Sequence, residues 1–423
     1  MYRTRVTKPM KSLAVLAALS LGIAACGGDD GSDVDSADTD ADEVDSADDD
    51  GGAEPADEAE GEPILIGNLA DLSGATADVG TPYSEGVRAY VDWRNANGGI
   101  GGRPIELLWE DYQYDVANAE RLYADFASQG VVAIQGWGTA DTEALRGRVN
   151  QDEIPYMSAS YSEELTHAEE TPYNFVVATS YSDQMRIALR WIHEQDPGAQ
   201  VAVFHHDSPF GLSPVGDGEA YIEENGLDLG YHVVAMPAGA TDYVGELRSA
   251  EAEGVGYVIV QNVEGPAAQL ARDIAAQGLD MQLVLLNWSS GELFVDLAGD
   301  AGEGAVSVQP WTPVANQVAG QDDATAYLEE QGEELTSLHF TQAWWTMAVM
   351  AEGIEQVVES GDEVTGAAVQ EALSSIEDFD TGGVSLPITL STRDDGRRTG
   401  MTCSPLWNLD GGEWTPLVDE LCP

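Results

Sequence analysis

Positive charge is nearly missing from this chain of 423 residues, which carries 17 lysines and arginines against 76 aspartates and glutamates. Four of the 17 cations lie within residues 1–11, and the other 13 are all arginine. A formal net charge of −59 argues against nucleic acid as a partner, because its phosphates would be repelled. The surplus of acid also predicts a surface adapted to high salt, which screens the repulsion between carboxylates.

Long apolar runs are also missing after the first 26 residues, so the sequence predicts no transmembrane helix. Residues 1–26 follow the pattern of an export signal, in which a positive start precedes an apolar stretch (13–23) too short to span a bilayer. The ending Ala24-Ala25-Cys26 is similar to a bacterial lipobox, whose cysteine becomes the lipidated first residue. A plain secretory cleavage site is the alternative. We therefore predict a lipoprotein signal peptide and a chain anchored outside the cell membrane by lipid on Cys26.

Residues 27–62 contain almost nothing that could be buried. They hold 17 aspartates and glutamates and no lysine or arginine. Such a composition predicts a disordered segment that is extended by self-repulsion. We interpret it as an acidic tether between the membrane and the folded part, with a metal-binding acidic tail as the alternative.

Cysteine is scarce as well. The chain has three cysteines, so only Cys403 and Cys422 remain once Cys26 is assigned to lipidation. Two cysteines close in sequence in an exported protein are predicted to form a disulfide, which would join the ends of the C-terminal segment. Two free buried thiols are the alternative.

Strand and helix patterns alternate from Ile64 to about Val308. Residues 64–66 are a short apolar run, apolar groups at helical spacing extend from Tyr83 to Asn95, and residues 105–109 form a second strand pattern. Further strand patterns lie at 131–134, 175–177, 201–204, 257–260 and 283–286, and further helical patterns at 117–126, 143–149, 183–193, 218–224, 243–250 and 266–276. Alternation of this kind indicates parallel sheets covered by helices. We predict an α/β fold with two doubly wound parallel-sheet lobes.

The alternation breaks near residues 180–183 and again at residues 309–313. Beyond the second break the pattern predicts helices at 323–331, 340–360 and 365–374, then hairpins at 384–391 and about the turns 394–396 and 410–412. The set Phe340, Trp344, Met347 and Met350 lies at helical spacing and is predicted to be core.

Catalytic motifs are absent from the sequence. It contains no G-x-S-x-G nucleophile elbow, no H-E-x-x-H and no phosphate-binding loop. His205-His206-Asp207 lacks the ligand spacing of a zinc site. We therefore predict a protein that is not an enzyme and that carries no metal or cofactor.

Five motifs together resemble a known family. They are LSGATADVG (72–80), NANGGIGGRPIEL (95–107), IPYMSASYSEELT (154–166), LAGDAGEGAVSV (297–308) and the turn at 394–396. The chain resembles the periplasmic leucine/isoleucine/valine-binding proteins of ABC transporters, the type I bilobed binding proteins, over about residues 63–410. The resemblance implies three crossing strands between lobe 1 (63–180 and 310–390) and lobe 2 (181–309 and 391–423).

The resemblance also implies a function. The protein would capture a small organic solute, an amino acid or a related carboxylate or amide, between lobes that close by hinge motion. It would act as a monomer and deliver the solute to an ABC permease with separate ATPase subunits. A ligand sensor on the same fold, signalling to a receptor or regulator, is the alternative.

Two loops of lobe 1 are candidate ligand contacts. Gly138, Thr139 and Ala140 precede a helix whose N-terminal amides suit a carboxylate, and Thr139 or Asp141 could instead simply cap that helix. The next loop offers hydroxyls and amides from Ser158, Ala159, Ser160 and Tyr161, where Tyr161 stands in place of the usual threonine and could alternatively be core.

In lobe 2 the candidates are Phe210, Gln261, Asn262, Asn287 and Trp288. Phe210 matches an aromatic position of the family, and the other four follow strand ends, where contacts between the lobes are the alternative. Asn287 matches the position of the family's glutamate for the ligand ammonium group, and an amide cannot replace that charge.

Asp183, Glu264 or Glu292 could substitute for the missing glutamate. The sequence therefore predicts that the carboxylate half of the site is kept and that the ammonium half is altered. The ligand would be a small carboxylate or amide with an apolar or aromatic body, with a branched-chain amino acid as the close competitor.

Overall fold

The computed structural model describes residues 61–423. The predicted signal peptide, Cys26 and nearly all of the acidic tether lie outside the described residues. None of the helices described in this range is long and apolar enough to cross a membrane.

The described range contains twelve strands and twelve α-helices. The strands are β1 Ile64–Ala70, β2 Ile105–Asp111, β3 Ala133–Gly136, β4 Tyr156–Ser158, β5 Asn174–Phe175, β6 Gln200–His206, β7 Gly230–Met236, β8 Val255–Gln261, β9 Gln282–Leu286, β10 Val306–Val308, β11 Ser404–Asp410 and β12 Glu413–Leu421. The helices are α1 Ala77–Ala96, α2 Val116–Gln129, α3 Thr139–Asp152, α4 Tyr181–Gln195, α5 Pro209–Leu212, α6 Val215–Asn225, α7 Val244–Ala252, α8 Glu264–Gln277, α9 Glu292–Ala298, α10 Asp322–Gln331, α11 Leu338–Ser360 and α12 Gly366–Leu373.

The first sheet has the strand order β2-β1-β3-β4-β5, and every pair in it is parallel. β1 lies inside this sheet and is buried along its length except at Leu65, which explains its continuous apolar run. Because the strands are parallel, the loops that follow β1, β3 and β4 share one edge of the sheet, the edge at which open α/β sheets bind ligands.

The second sheet has the order β12-β11-β10-β9-β8-β6-β7. It is parallel from β10 to β7, and the β11–β12 hairpin is added antiparallel at one edge. Along β6, Ala202 and Phe204 belong to one buried cluster while Val201 and Val203 belong to another. This alternation places a helical layer on each face of the sheet. The predicted fold class of two parallel-sheet lobes is confirmed.

Helix α11 packs on the first sheet's side of the molecule. Its residues Phe340, Trp344, Met347 and Met350 are all buried in the core that also contains β1 and α1, as predicted. The Trp344 ring lies edge-on to Tyr90 of α1, with 5.4 Å between the ring centroids.

The chain passes between the two sheets three times. It leaves the first sheet after β5 and enters the second at β6. It leaves again after β10 to form α10, α11 and α12, and it returns to the second sheet at β11. Three passes at one side of a cleft are the arrangement that permits hinge motion.

Two local predictions were wrong. Residues 384–391 form only isolated bridges, such as the one between Phe379 and Ile388, because Pro387 has no N–H for a strand ladder. Helix α1 begins at Ala77, six residues before the predicted start, with Pro82 inside it.

A disulfide joins Cys403, just before β11, to Cys422, just after β12, across 19 residues. Replacing both cysteines by serine is expected to lower the free energy of unfolding by about 2–4 kcal/mol, because the bond closes a short loop in the unfolded chain. Urea unfolding of the two forms measures the difference. Equal midpoints, or two thiols titrating in the unreduced denatured protein, would contradict this prediction.

Candidate functional site

A small cavity lies between the two lobes, at the carboxyl ends of strands from both sheets. Its lining residues all follow a strand or begin a helix at this edge: Thr76, Val79, Tyr114, Trp137, Gly138, Thr139, Ala159, Tyr181, Phe210, Val263 and Trp288. The space between their atoms is about 240 Å³, and the centre of a water-sized sphere reaches about 20 Å³ of it. The cavity is therefore nearly closed and suits a small ligand.

The N-terminus of α3 forms one wall of the cavity. Gly138 is the N-cap and Thr139 the first helical residue, and no side chain provides the cap hydrogen bond. Capping of α3 by Thr139, which was one alternative to a ligand site here, is not seen, since Thr139 shares a 2.7 Å hydrogen bond with Ser160. The N–H groups of the first turn have no partner within the helix, and the positive end of the helix dipole favours a negative group here.

Asp141 lies directly behind this wall. Its Oδ1 accepts a hydrogen bond of 2.9 Å from the hydroxyl of Tyr112, and its Oδ2 is buried without a partner among the described residues. Burial raises the pKa of Asp141 to about 7, although the bonds from Tyr112 and from backbone N–H groups act in the opposite direction. The carboxyl group next to the cavity thus changes charge near neutral pH.

Aromatic rings make up much of the lining. The ring centroids of Trp137 and Trp288 are 5.0 Å apart, and the two ring planes meet at 63°. Tyr83 packs edge-on against both rings. Tyr181 and Phe210 form a second edge-on pair at 5.4 Å. The cavity therefore has rigid aromatic walls contributed by both lobes.

Buried acids tie the lobes together beside the cavity. The N–H of Gly265 in α8 donates to Asp78 in α1 over 2.9 Å, and Glu264 faces His339 of α11 with 3.4 Å between Oε1 and Nε2. Burial raises the pKa of Glu264. Burial opposes a charge on His339, but the hydrogen bond and charge of Glu264, the hydrogen bond with Gln342 and the charge of Glu292 together outweigh burial and raise the pKa of His339.

A second group of charges lies where the chain crosses between the lobes. Arg186 pairs with Glu163 and with Asp183, both at 2.7 Å, and Arg397 pairs with Asp183 at 3.0 Å. These contacts join α4, the segment after β4 and the third crossing. Asp183 is therefore held by two arginines and does not reach the cavity.

Five of the twelve predicted ligand residues line the cavity. They are Gly138, Thr139, Ala159, Phe210 and Trp288. The other seven are not among the lining residues, and most of them have polar contacts elsewhere. Ser158 accepts from the Ser160 N–H, Tyr161 accepts from Gln342, Gln261 donates to the carbonyl of Phe210, and Asn262 contacts Met236. The backbone N–H of Asn287 donates to Gln184 and its carbonyl accepts from Gln309, while Ala140 is the second residue of α3.

Asn287 does not line the cavity. A single helical turn over Asn287–Ser289 follows β9 and places Trp288 there instead. Both polar atoms of the Asn287 side chain are buried without a partner among the described residues. Glu292 does not line the cavity either, because its carboxylate accepts 2.8 Å bonds from the N–H groups of Val314 and Leu338.

Sequence reasoning did not select Thr76, Val79, Tyr114, Tyr181 or Val263. Thr76 and Val79 escaped because the start of α1 was predicted too late. Tyr114 reaches the cavity from a backbone at φ 55°, a left-handed conformation that tyrosine rarely adopts and that the sequence does not signal. Tyr181 is the first residue of α4, and the break near residues 180–183 was the available signal for it.

The sequence was then compared with known proteins. Residues 63–413 match the family model described as periplasmic binding protein. The chain belongs to the periplasmic binding protein family. This confirms the family that the sequence motifs predicted.

Curated relatives of this periplasmic binding protein include Leu/Ile/Val-binding protein homolog 2 of Brucella abortus (strain 2308). The two are 23% identical over 245 residues, which cover 58% of this chain and 66% of the relative. The chain thus spans just under two thirds of the length of that relative.

Solved structures of periplasmic binding proteins match over nearly their whole length. A branched chain amino acid ABC transporter protein from Thermus thermophilus with bound valine has a TM-score of 0.81 and 25% identity, over 86% of this chain and 97% of that one. A fatty acid ABC transporter substrate-binding protein from Thermomonospora curvata has a TM-score of 0.77 and 19% identity, over 87% and 95% of the two chains. The second match shows the fold alone.

Proposed function

We propose that this protein is the extracytoplasmic substrate-binding component of an ABC importer of the branched-chain amino acid type. It would capture a small organic solute between two lobes, which we assign to residues 63–180 with 310–390 and to 181–309 with 391–423. The observation that carries the proposal is the small cavity between the lobes, lined by the N-terminus of α3 and by aromatic rings. Its delivery partner would be a permease with separate ATPase subunits.

The ligand we propose is a small carboxylate or amide. A carboxylate suits the first turn of α3, whose N–H groups lack helical partners. The lining residues include no acidic or basic side chain, which supports a site that lacks the family's acidic partner for a ligand ammonium group. The centre of a water-sized sphere reaches only about 20 Å³ of the cavity, which favours a small solute over a long-chain acid.

A thermal-shift screen over amino acids, aromatic acids, amides and polyamines tests this function. We expect a rise in melting temperature with a few chemically related small solutes, because a ligand that binds only the folded form stabilises it. A screen in which no solute shifts the melting temperature at millimolar concentration would argue against solute binding.

We also propose that the protein is anchored by lipid on Cys26. The change Cys26→Ser is expected to release the protein from the membrane without altering ligand affinity, since the residues found to line the cavity lie between Thr76 and Trp288. Fractionation of cells and calorimetry on the released protein measure the two effects. Continued retention in the membrane fraction would indicate another anchor.

The acidic surface leads to a prediction about salt. The melting temperature is expected to rise steadily between about 0.1 M and 2 M NaCl, because added ions screen the repulsion among unpaired carboxylates. Differential scanning calorimetry of the released protein measures the trend. A melting temperature that is flat or falls over this range would contradict adaptation to high salt.

A further inference from the structure

The polar groups that line the cavity are already used by one another. Trp137 donates its indole N–H to Thr76 over 2.8 Å, and Trp288 donates to the hydroxyl of Tyr181 over 3.0 Å. The Thr76 hydroxyl in turn donates to Asp71 over 2.7 Å. A primary ammonium group carries three N–H donors, and each donor buried without an acceptor costs free energy. The lining therefore disfavours a ligand with a free amino group.

The aromatic lining offers a different kind of partner. Five of the eleven lining residues are aromatic, namely Tyr114, Trp137, Tyr181, Phe210 and Trp288. The indole N–H groups of Trp137 and Trp288 are turned to internal partners. Tyr161 and His339 stack on Trp288, so the rings of Trp137, Tyr181 and Phe210 supply most of the ring surface left for the ligand. Ring faces attract a cation, tryptophan most strongly, and a methylated ammonium needs no hydrogen-bond acceptor.

Two carboxylates lie behind the lobe 1 wall of the cavity. The carboxylate of Asp71 lies behind Thr76, and Asp141 lies behind Gly138, where it would contact a Cβ atom at that position. No lysine or arginine is among the lining residues. His339 stacks on Trp288 with 5.0 Å between the centroids, and Glu264 faces its other side. A positive charge in the cavity would therefore be attracted by its surroundings.

We propose that the ligand is a betaine, a small carboxylate that bears a quaternary methylammonium group. The aromatic rings would surround the methylammonium group and the first turn of α3 would bind the carboxylate. This inference rests on the function proposed above and specifies its ligand class. Aromatic rings can bind a quaternary ammonium group without an acidic side chain, so the missing glutamate is not required for this ligand.

Titration calorimetry with four small molecules tests the assignment on the full chain carrying Cys26→Ser. Glycine betaine is compared with 3,3-dimethylbutanoate, which has the same shape without the positive charge, with choline, which lacks the carboxylate, and with valine, which has a free ammonium group. Glycine betaine is expected to bind roughly 10- to 30-fold more tightly than 3,3-dimethylbutanoate, the isostere without the ammonium charge. Choline and valine should both bind more weakly than glycine betaine.

Aromatic substitutions locate the effect. Phe210→Leu and Trp288→Leu keep apolar surface and remove the ring, so each should weaken glycine betaine binding several-fold more than binding of the isostere. Phe210 has no polar side-chain atom, so its variant remains informative if Trp288→Leu does not fold. Trp109→Leu, at an exposed position on β2, is the control and should change neither affinity.

Three results would overturn the betaine assignment. The isostere could bind as tightly as glycine betaine, valine could bind more tightly, or none of the four could bind. The first two would leave the function proposed above intact, because a small carboxylate would still be the ligand. Choline binding as tight as glycine betaine would overturn the carboxylate half of the assignment. The proposed function itself would be contradicted only if, in addition, no solute in the wider thermal-shift screen bound.

Discussion

Replacing Gly138 by alanine is expected to weaken binding of the ligand roughly 5- to 150-fold. A Cβ atom at this position would lie 2.5 Å from the Tyr112 hydroxyl and 2.8 Å from the ring of Tyr114, and it would also contact Asp141. None of these groups is the free end of a flexible side chain, because all three are packed against the N-terminus of α3. The extra atom must displace the wall of the cavity, which costs about 1–3 kcal/mol in packing. Calorimetry with the ligand found in the screen measures the loss.

A matched control exists in the same helix. Gly147 lies in α3 with open space around it, so Gly147→Ala should leave affinity unchanged and stabilise the helix by about 0.5–1 kcal/mol. A Gly138→Ala variant that folds and binds like the wild type would show that the N-terminus of α3 is not part of the binding site.

Replacing Asp141 by asparagine is expected to stabilise the protein above neutral pH. The pKa of Asp141 is raised from 3.8 to about 7, mainly by burial. A raised pKa in the folded state means that stability is fully present below about pH 4 and is lost as the pH rises to about 7. Three pKa units correspond to about 4 kcal/mol. Asparagine stays neutral, so it avoids this loss.

The expected net gain for Asp141→Asn is about 3 kcal/mol at pH 8, because an unpaired amide N–H costs about 1 kcal/mol. At pH 4 the variant and the wild type should differ by less than about 1 kcal/mol. Urea unfolding at both pH values measures the difference, with the exposed Asp125→Asn on α2 as the control. Equal stability of Asp141→Asn and wild type at pH 8 would mean that the Asp141 pKa is not raised.

Much of the fold could be predicted because apolar periodicity reports burial directly. The runs in β6 and β8 are continuous since both strands lie inside a sheet with helices on each face. β7 was not predicted, because it lies at the edge of the sheet and Val233 is half exposed there, which removes the apolar run.

The sequence predicted only those site residues that come directly after a strand. Gly138, Thr139 and Trp288 follow strands whose positions the sequence indicates, so they were found. Asn287 and Trp288 are adjacent, and only the one-turn helix after β9 decides which of them reaches the cavity. Such a turn depends on tertiary contacts, including the 3.0 Å bond from the Asn287 N–H to Gln184, that lie far apart in sequence.

The network of buried charges beside the cavity could not be predicted from the sequence either. Glu264, His339 and Asp78 come from three separate helices, and their proximity follows from the packing of one lobe on the other. A residue type such as glutamate does not reveal whether its carboxylate faces solvent, an arginine or a histidine. These partners decide its pKa and thereby its role.

The central claim is that a small solute binds in the cavity between the lobes. Titration calorimetry of the full chain carrying Cys26→Ser, with the best solute from the screen, tests it most directly when run beside Gly138→Ala and Gly147→Ala. We expect saturable binding of one solute per chain, kept in Gly147→Ala and clearly weakened in Gly138→Ala. Binding of equal affinity in all three proteins would place the ligand elsewhere and contradict the account.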